Sequence, residues 1–326
     1  MAEALVTGPQ PPASRAGPDD PPPTLAHRAE YAALRAVFGL LGALPRAAAT
    51  GVGDWLGALG YRPLGIRRNV VERQIAASFP ALEQRDVQRI ARAAYQHLGR
   101  ISIEIALLRH RGRDGVLELF EGADGWEHVE RGLALGRGLI MATGHVGNWE
   151  LGGAYIAVRG VPFDAIVRRQ GNLLFDRYLN DTRTRIGMRV VRDDEAVRRV
   201  TRSLKEGRAV AFVSDQGVKG IASTFVPFFG RPAKTPRGPA VFALRLGAPV
   251  VFAAAIRQPS GLYRMRVEPV PVEETGDRDR DVDVVVAAYT RILEQFVRRD
   301  PEQYFWHHRR WRRQPKGTPP ELSEPR

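Results

Sequence analysis

At 326 residues the chain is long enough for one large domain or two small ones with an ample core, and its lack of cysteine excludes a disulfide framework, a thiolate metal site and a cysteine nucleophile. The net charge of +13 and isoelectric point near 10.7 point to anionic partners such as nucleic acid, phospholipid head groups or phosphorylated substrates. Lysine occurs only at 205, 219, 234 and 316, so 49 − 4 = 45 basic residues are arginine; in so alanine- and glycine-rich a chain that skew partly reflects coding bias, and charge alone is a poor guide to nucleic acid.

Residues 1–26, with Pro11-Pro12 and Pro21-Pro22-Pro23, have the composition of a disordered arm that cannot bury enough surface to order itself. No basic stretch leads into an apolar run, so no secretory signal is read there. Tyr31 to Gly60 is markedly apolar, with Arg35, Arg46 and Asp54 as its only charges. Its longest charge-free run, Ala36 to Pro45, is too short to cross a bilayer core of about 30 Å. Two readings stand: a helical hairpin capping the core, or a monotopic anchor in the membrane interface. Residues 69–108 read as two helices around Phe79-Pro80. The second places Val87, Ile90, Ala94, Leu98, Ile101 and Ile105 at helical spacing, with His97 and Glu104 as surface or core-edge groups. Residues 120–135 predict a short strand and then a helix.

The stretch around which the chain is organised is Gly138 to Leu151, GLIMATGHVGNWEL. Leu139 to Thr143 is a mostly apolar run typical of a buried strand. Gly144 and Gly147 break it, and Asn148 can cap a helix through Trp149, Glu150 and Leu151. His145 therefore sits on a strand-to-helix turn with an acid five residues on. Positions five apart do not share a helix face, so the two meet only if the turn folds His145 back onto Glu150. A carboxylate beside an imidazole raises its basicity and fixes its tautomer, which suits a general base.

Beyond it, a helix to about Val158, a strand over 162–169, a polar helix over 170–186, a short extended piece at 189–191 and a basic helix over 195–206 alternate. That pattern predicts a mostly parallel sheet covered on both faces. Ala209 to Val213 is another buried strand, with Asp215-Gln216 at its carboxyl end, where the sites of open α/β sheets gather. The carboxylate there also suits a plain turn cap. Phe225 to Gly238 is rich in phenylalanine and proline, and suits an apolar channel or core packing equally. Thr235-Pro236 reads as a helix start, with the helix ending at Gly247. Strands follow over 248–256 and 265–272, then a helix over 281–298. The closing block, Pro301 to Arg313, interleaves aromatic and basic residues, as a solvated basic tail or a membrane interface would.

Four of these blocks, GHVGNWE, the Asp215-Gln216 strand, VPFFGRPAKTPRG with GAPVV, and PEQYFWHHRRW, together resemble the lysophospholipid acyltransferase superfamily. The branch is that of lipid A lauroyl/myristoyl acyltransferases, with phosphatidylinositol mannoside acyltransferases as cousins. The resemblance implies an α/β acyltransferase domain over 67–313, a membrane-docking helical element over 27–66 and a disordered tail over 314–326. It implies transfer of a fatty acyl group from an acyl carrier protein or coenzyme A thioester to a glycolipid hydroxyl, with no metal and no other cofactor. The place implied is the cytoplasmic face of the inner membrane, on an anionic surface. His145 becomes the general base, Glu150 its orienting acid and Asp215 a further acid behind them. Arg168 becomes an oxyanion or phosphate contact, and Asn148, Gln216, Phe228 and Arg237 join it as substrate-binding candidates. One alternative acceptor is a phospholipid or phosphatidylinositol mannoside. A basic nucleic-acid-binding protein is the alternative of another class, disfavoured because its charges are spread along the chain without a recognition motif.

Overall fold

The computed structural model describes residues 22–217 and 220–325, so most of the expected N-terminal arm lies outside the described residues. Thr24 accepts a hydrogen bond from the His27 amide and opens helix α1, Leu25–Gly42. There follow α2, Arg46–Tyr61; α3, Arg68–Ser78; α4, Gln84–Leu107; and α5, Arg113–Leu117. Strand β1, Phe120–Asp124, and α6, Trp126–Ala134, lead to β2, Leu139–Thr143, and α7, Trp149–Val158. Next come β3, Phe163–Val167; α8, Leu173–Arg185; β4, Met188–Arg192; α9, Ala196–Lys205; and β5, Ala209–Val213. A hairpin of β6, Ser223–Phe228, and β7, Arg231–Pro236, precedes α10, Gly238–Leu246. Strands β8, Val250–Arg257, and β9, Tyr263–Val270, and helix α11, Arg278–Arg299, complete the fold.

Seven strands form one sheet in the order β1-β9-β8-β2-β5-β3-β4. The five from β8 to β4 run parallel; β9 is antiparallel to β8, and β1 runs with β9. The expected α/β class with a mostly parallel sheet is what is found. Its central strands read as continuous apolar runs because helices cover both faces, and Leu139, Ile140, Met141 and Ala142 are all buried.

Thr235 and Pro236 do not start a helix. They lie in β7, and α10 begins at Gly238 behind Arg237, because Thr235 pairs with Thr224 across the hairpin. The chain past Arg313, read as a disordered tail, lies against the domain instead, with the Arg231 guanidinium donating to the Ser323 carbonyl at 2.8 Å and Arg309 paired with Glu324.

Helix α2 packs on α4 so closely that glycine is required. A Cβ on Gly57 would fall 2.0 Å from the Tyr95 carbonyl oxygen. Packed this way, α1 and α2 leave Val37, Leu40, Leu44, Trp55 and Leu56 exposed, and no helix among the described residues is long and apolar enough to cross a membrane.

The C-terminal block is neither a solvated tail nor an interface belt. Trp306 and Trp311 are fully buried, packed with Phe228, Phe229 and Tyr304. Arg310 is buried as well, donating to the Lys234 carbonyl at 2.6 Å and to the Thr235 hydroxyl at 2.7 Å. Its charge is tolerated inside because these acceptors replace water.

Candidate active site

Strands β2 and β5 pair in parallel with Thr143 opposite Val213. Two residues past each of those ends stand His145 and Asp215, so the register itself delivers one to the other. The Asp215 carboxylate, buried, accepts the His145 backbone N–H at 3.0 Å and faces the ring Nδ1 at 2.7 Å. The Gln216 amide lies 3.1 Å from the same nitrogen. With Nδ1 committed to Asp215, the other ring nitrogen, Nε2, has no partner among the described residues. Trp149 packs edge-on against the ring at 4.8 Å, and Phe305 lies at 5.8 Å.

Burial alone would lower the pKa of His145; the charge and hydrogen bond of Asp215, aided by the charge of Glu150, outweigh it and raise the value above the ordinary 6.5. Burial would likewise raise Asp215, yet the His145 charge, its two hydrogen bonds and Arg310 bring it down to about 2.

The turn is held on every side. The His145 carbonyl accepts from the Phe305 amide at 2.9 Å, Val146 bridges to Tyr304, and the Gly147 and Asn148 amides donate to the Gln303 and Ala255 carbonyls. Gly147 has φ +61°, and a Cβ there would strike the Ala255 carbonyl oxygen at 1.9 Å, so no other residue fits. The C-terminal block thus acts as a strap across the turn, with the Gln303 amide bonded to both backbone groups of Arg257 at 2.9 Å.

Several expected roles change. Glu150 does not orient His145. In the first turn of α7 it points to Arg183 of α8, accepting from its Nε at 3.0 Å in a largely buried pair, and Asp215 occupies the orienting position. Asn148 does cap α7, accepting from the Leu151 amide at 3.1 Å. Being fully buried, with its amide nitrogen given to Glu104 at 3.0 Å, it has nothing left for a substrate. Phe228 is fully buried in the aromatic cluster, so neither it nor the buried Val226 lines a groove. Arg237 is drawn to α11, pairing with Asp279 at 2.7 Å and Asp283 at 3.5 Å. Arg168 is exposed just past β3, at the carboxyl edge two strands from β2.

Other site residues are ones the sequence reading passed over. His97 and Glu104, both buried on α4, reach the turn from behind. The His97 Nε2 lies 3.1 Å from the Gly147 carbonyl, and burial lowers its pKa to about 4, so it is neutral and donates. Arg183 carried a signal: Asp176, Asn180 and Arg183 recur at helical spacing and form one buried polar stripe.

Beside the turn, between α7 and the sheet, lies a cavity of ≈ 70 Å³. Thr143, Trp149, Glu150 and Arg183 stand among its lining, and Met141, Gly152, Gly153, Ile156, Phe163, Ala211 and Ala253 make its apolar wall. Among the described residues no group of three or more His, Asp or Glu side chains is gathered as a metal site.

A family model described as bacterial lipid A biosynthesis acyltransferase matches residues 24–313. A lipid A biosynthesis palmitoleoyltransferase of Escherichia coli is 26% identical over 269 residues, 82% of this chain and 85% of that protein. A lipid A biosynthesis lauroyltransferase of the same organism is 25% identical over 285 residues, 87% and 91% of the two chains. A phosphatidylinositol mannoside acyltransferase of Mycolicibacterium smegmatis is 27% identical over 246 residues, 73% and 78%.

Proposed function

The chain belongs to the bacterial lipid A biosynthesis acyltransferase family and is an acyltransferase, and on that premise we propose that the His145–Asp215 pair performs the transfer. The 2.7 Å contact between the His145 Nδ1 and the Asp215 carboxylate is the observation that carries the reading. With Nδ1–H held by Asp215, the neutral ring presents an unprotonated Nε2 to the acceptor hydroxyl. His145 takes that proton as the oxygen bonds to the thioester carbonyl carbon. The carbonyl electrons move to its oxygen. When they return, the C–S bond breaks, and the sulfur leaves with the proton held by the imidazolium. Asp215 stabilises the charged ring throughout. Arg168, at the same sheet edge, is the candidate donor for the developing oxyanion or an acceptor phosphate.

The acyl donor is a thioester of acyl carrier protein or coenzyme A, and its chain enters the apolar cavity beneath α7 rather than the Phe228 region. The support is the position of that cavity, whose lining includes Glu150 and the same Trp149 that packs on the His145 ring. The acceptor is a glycolipid hydroxyl, a reading supported by the two Escherichia coli relatives, which are acyltransferases of lipid A biosynthesis. A phosphatidylinositol mannoside acceptor is the second reading, favoured by the mycobacterial relative. The enzyme meets these lipids at the cytoplasmic face of the inner membrane, docking through α1, α2 and the turn between them, whose exposed Leu40, Leu44 and Trp55 suit an interface. Purified His145→Ala should keep its fold by circular dichroism and lose about two to four powers of ten in acyl transfer. Activity near wild type would remove the mechanism.

A further inference from the structure

Away from the catalytic turn, a cleft of ≈ 700 Å³ lies between the C-terminal end of α2 and the N-terminal half of α4. Arg62 closes one side, and Arg85, Gln88, Arg89, Arg92 and Gln96 recur along one face of α4 on the other. None of the nine lining residues is acidic. The nearest carboxylates relieve only part of this charge: Arg85 pairs with Glu83 at 3.0 Å and Asp86 at 3.9 Å, and Arg89 with Asp86 at 3.3 Å. Glu72, which accepts from the lining Tyr61 hydroxyl at 2.7 Å and pairs with Arg68, lends its charge to Arg62 as well. Arg62 and Arg92 make no ion pair among the described residues. Four guanidinium groups around one cleft share Glu83, Asp86 and a Glu72 already paired with Arg68, so positive charge remains in excess there, an arrangement that an anion would relieve.

The chain on either side of Ala58, Tyr61 and Arg62 is of the opposite character. Trp55, three residues before Ala58 and on its face of α2, is 60% exposed. Leu64 and Ile66, just past Arg62, are 67% and 55% exposed. A basic face alone suits water, and an apolar flank alone suits any greasy partner. Side by side they match the one boundary where phosphate and hydrocarbon meet, the surface of a phospholipid layer.

We propose that the cleft between α2 and α4 is a second, non-catalytic site that takes the exposed phosphate monoester of an anionic membrane lipid. Arg62, Arg85, Arg89 and Arg92 are the donors, and Trp55, Leu64 and Ile66 rest in the adjoining apolar layer. The site rests on the membrane-docking reading above and sharpens it, since it selects which lipid the enzyme sits on.

The test is flotation of the full-length enzyme with vesicles of phosphatidylcholine alone, or doped equally with phosphatidic acid or phosphatidylserine. Wild type should prefer phosphatidic acid, and rising ionic strength should erase that preference without removing the weaker binding to neutral vesicles. Arg85→Gln/Arg89→Gln/Arg92→Gln should weaken binding to phosphatidic acid vesicles by roughly five-fold per arginine. Its binding to neutral vesicles, and its transfer from a coenzyme A donor to a detergent-dispersed acceptor, should stay at wild-type levels. Equal binding of wild type to the two anionic vesicles, or undiminished phosphatidic acid preference in the variant, overturns the site while membrane docking stands. Wild-type failure to bind any vesicle overturns the docking reading and this site with it. If the variant floats like wild type but turns over poorly only with a protein-carried donor, the cleft holds an acidic carrier protein and the lipid assignment is wrong.

Discussion

Asp215 and Glu150 reach the His145 turn from two different elements, and their surroundings divide the site in two. Asp215 stands past the end of β5, buried, with both oxygens turned to His145. Glu150 stands in the first turn of α7 with its oxygens turned to Arg183, and both line the apolar cavity. On the function proposed above, the β5 side governs the proton and the α7 side the shape that the substrate meets. A short motif with an acid five residues from a histidine is therefore not evidence that those two touch. An acid seventy residues away reaches the ring because strand pairing brings it there.

If that division holds, the largest effect belongs to the β5 side. Asp215→Asn should lose about as much transfer as His145→Ala, because groups that act as a unit are removed together by removing either. The double variant should then be hardly slower than either single one, and a multiplied loss in steady-state rates would show that the two act separately. The same variant moves the pH profile. A raised His145 pKa means that the base is neutral, and active, only above the raised value, so the acidic limb of wild type should lie above 6.5. Asn lacks the charge that raises it, so the limb should shift to lower pH in residual activity. For stability the sign is opposite. The charged pair stabilises the fold fully between pH 3.8 and 6.5; that contribution fades as pH rises through the folded value of His145, and again as pH falls towards about 2, where Asp215 is protonated.

On the α7 side the expected losses are of another kind. Glu150→Gln leaves the buried Arg183 guanidinium short of its counter-charge and should cost roughly 3 kcal/mol of stability, as breaking buried pairs does. Acyl transfer measured well below the melting point should fall far less than in Asp215→Asn. If transfer collapses with stability unchanged, Glu150 belongs to the proton chemistry and the division fails.

Much of the architecture could be read from local pattern. The apolar runs that become β2 and β8 are buried on both faces almost throughout, and that two-sided burial writes itself into sequence. The Asn148 cap and the two glycines of the turn are equally local requirements. What escaped was set by partners far along the chain. His97 and Glu104 looked like edge groups on α4, yet they meet the turn some fifty residues later. Trp55 and Trp306 share a residue type and a reading as membrane-interface groups, but one is 60% exposed and the other 1%. Composition could not separate them, because only the second has Phe79, Phe229 and Tyr304 to pack against. Phe228 misled for the same reason, since a phenylalanine-rich loop beside a site and one folded into the core read alike.

The smallest effect on rate, and the sharpest on selectivity, should come from Gly153. It lies in the wall of the cavity, where a Cβ would sit 3.2 Å from the Met188 sulfur and 3.5 Å from the Phe163 ring. Methionine is flexible enough to give those few tenths of an ångström, so Gly153→Ala should fold, and alanine favours a helix interior over glycine by roughly 0.5–1 kcal/mol. The added methyl group takes room from a cavity of only ≈ 70 Å³. A fatty chain that fills this space loses about 0.8 kcal/mol for each methylene left outside, close to four-fold in affinity. Gly153→Ala should therefore shift the preferred donor to a shorter chain, and Gly153→Leu further, while the best donor for each variant keeps nearly the wild-type kcat. The measurement is kcat/KM across a series of saturated thioesters with one acceptor. If both variants fold and keep the wild-type order of preference, the chain lies elsewhere, and the α7 side of the turn serves packing alone.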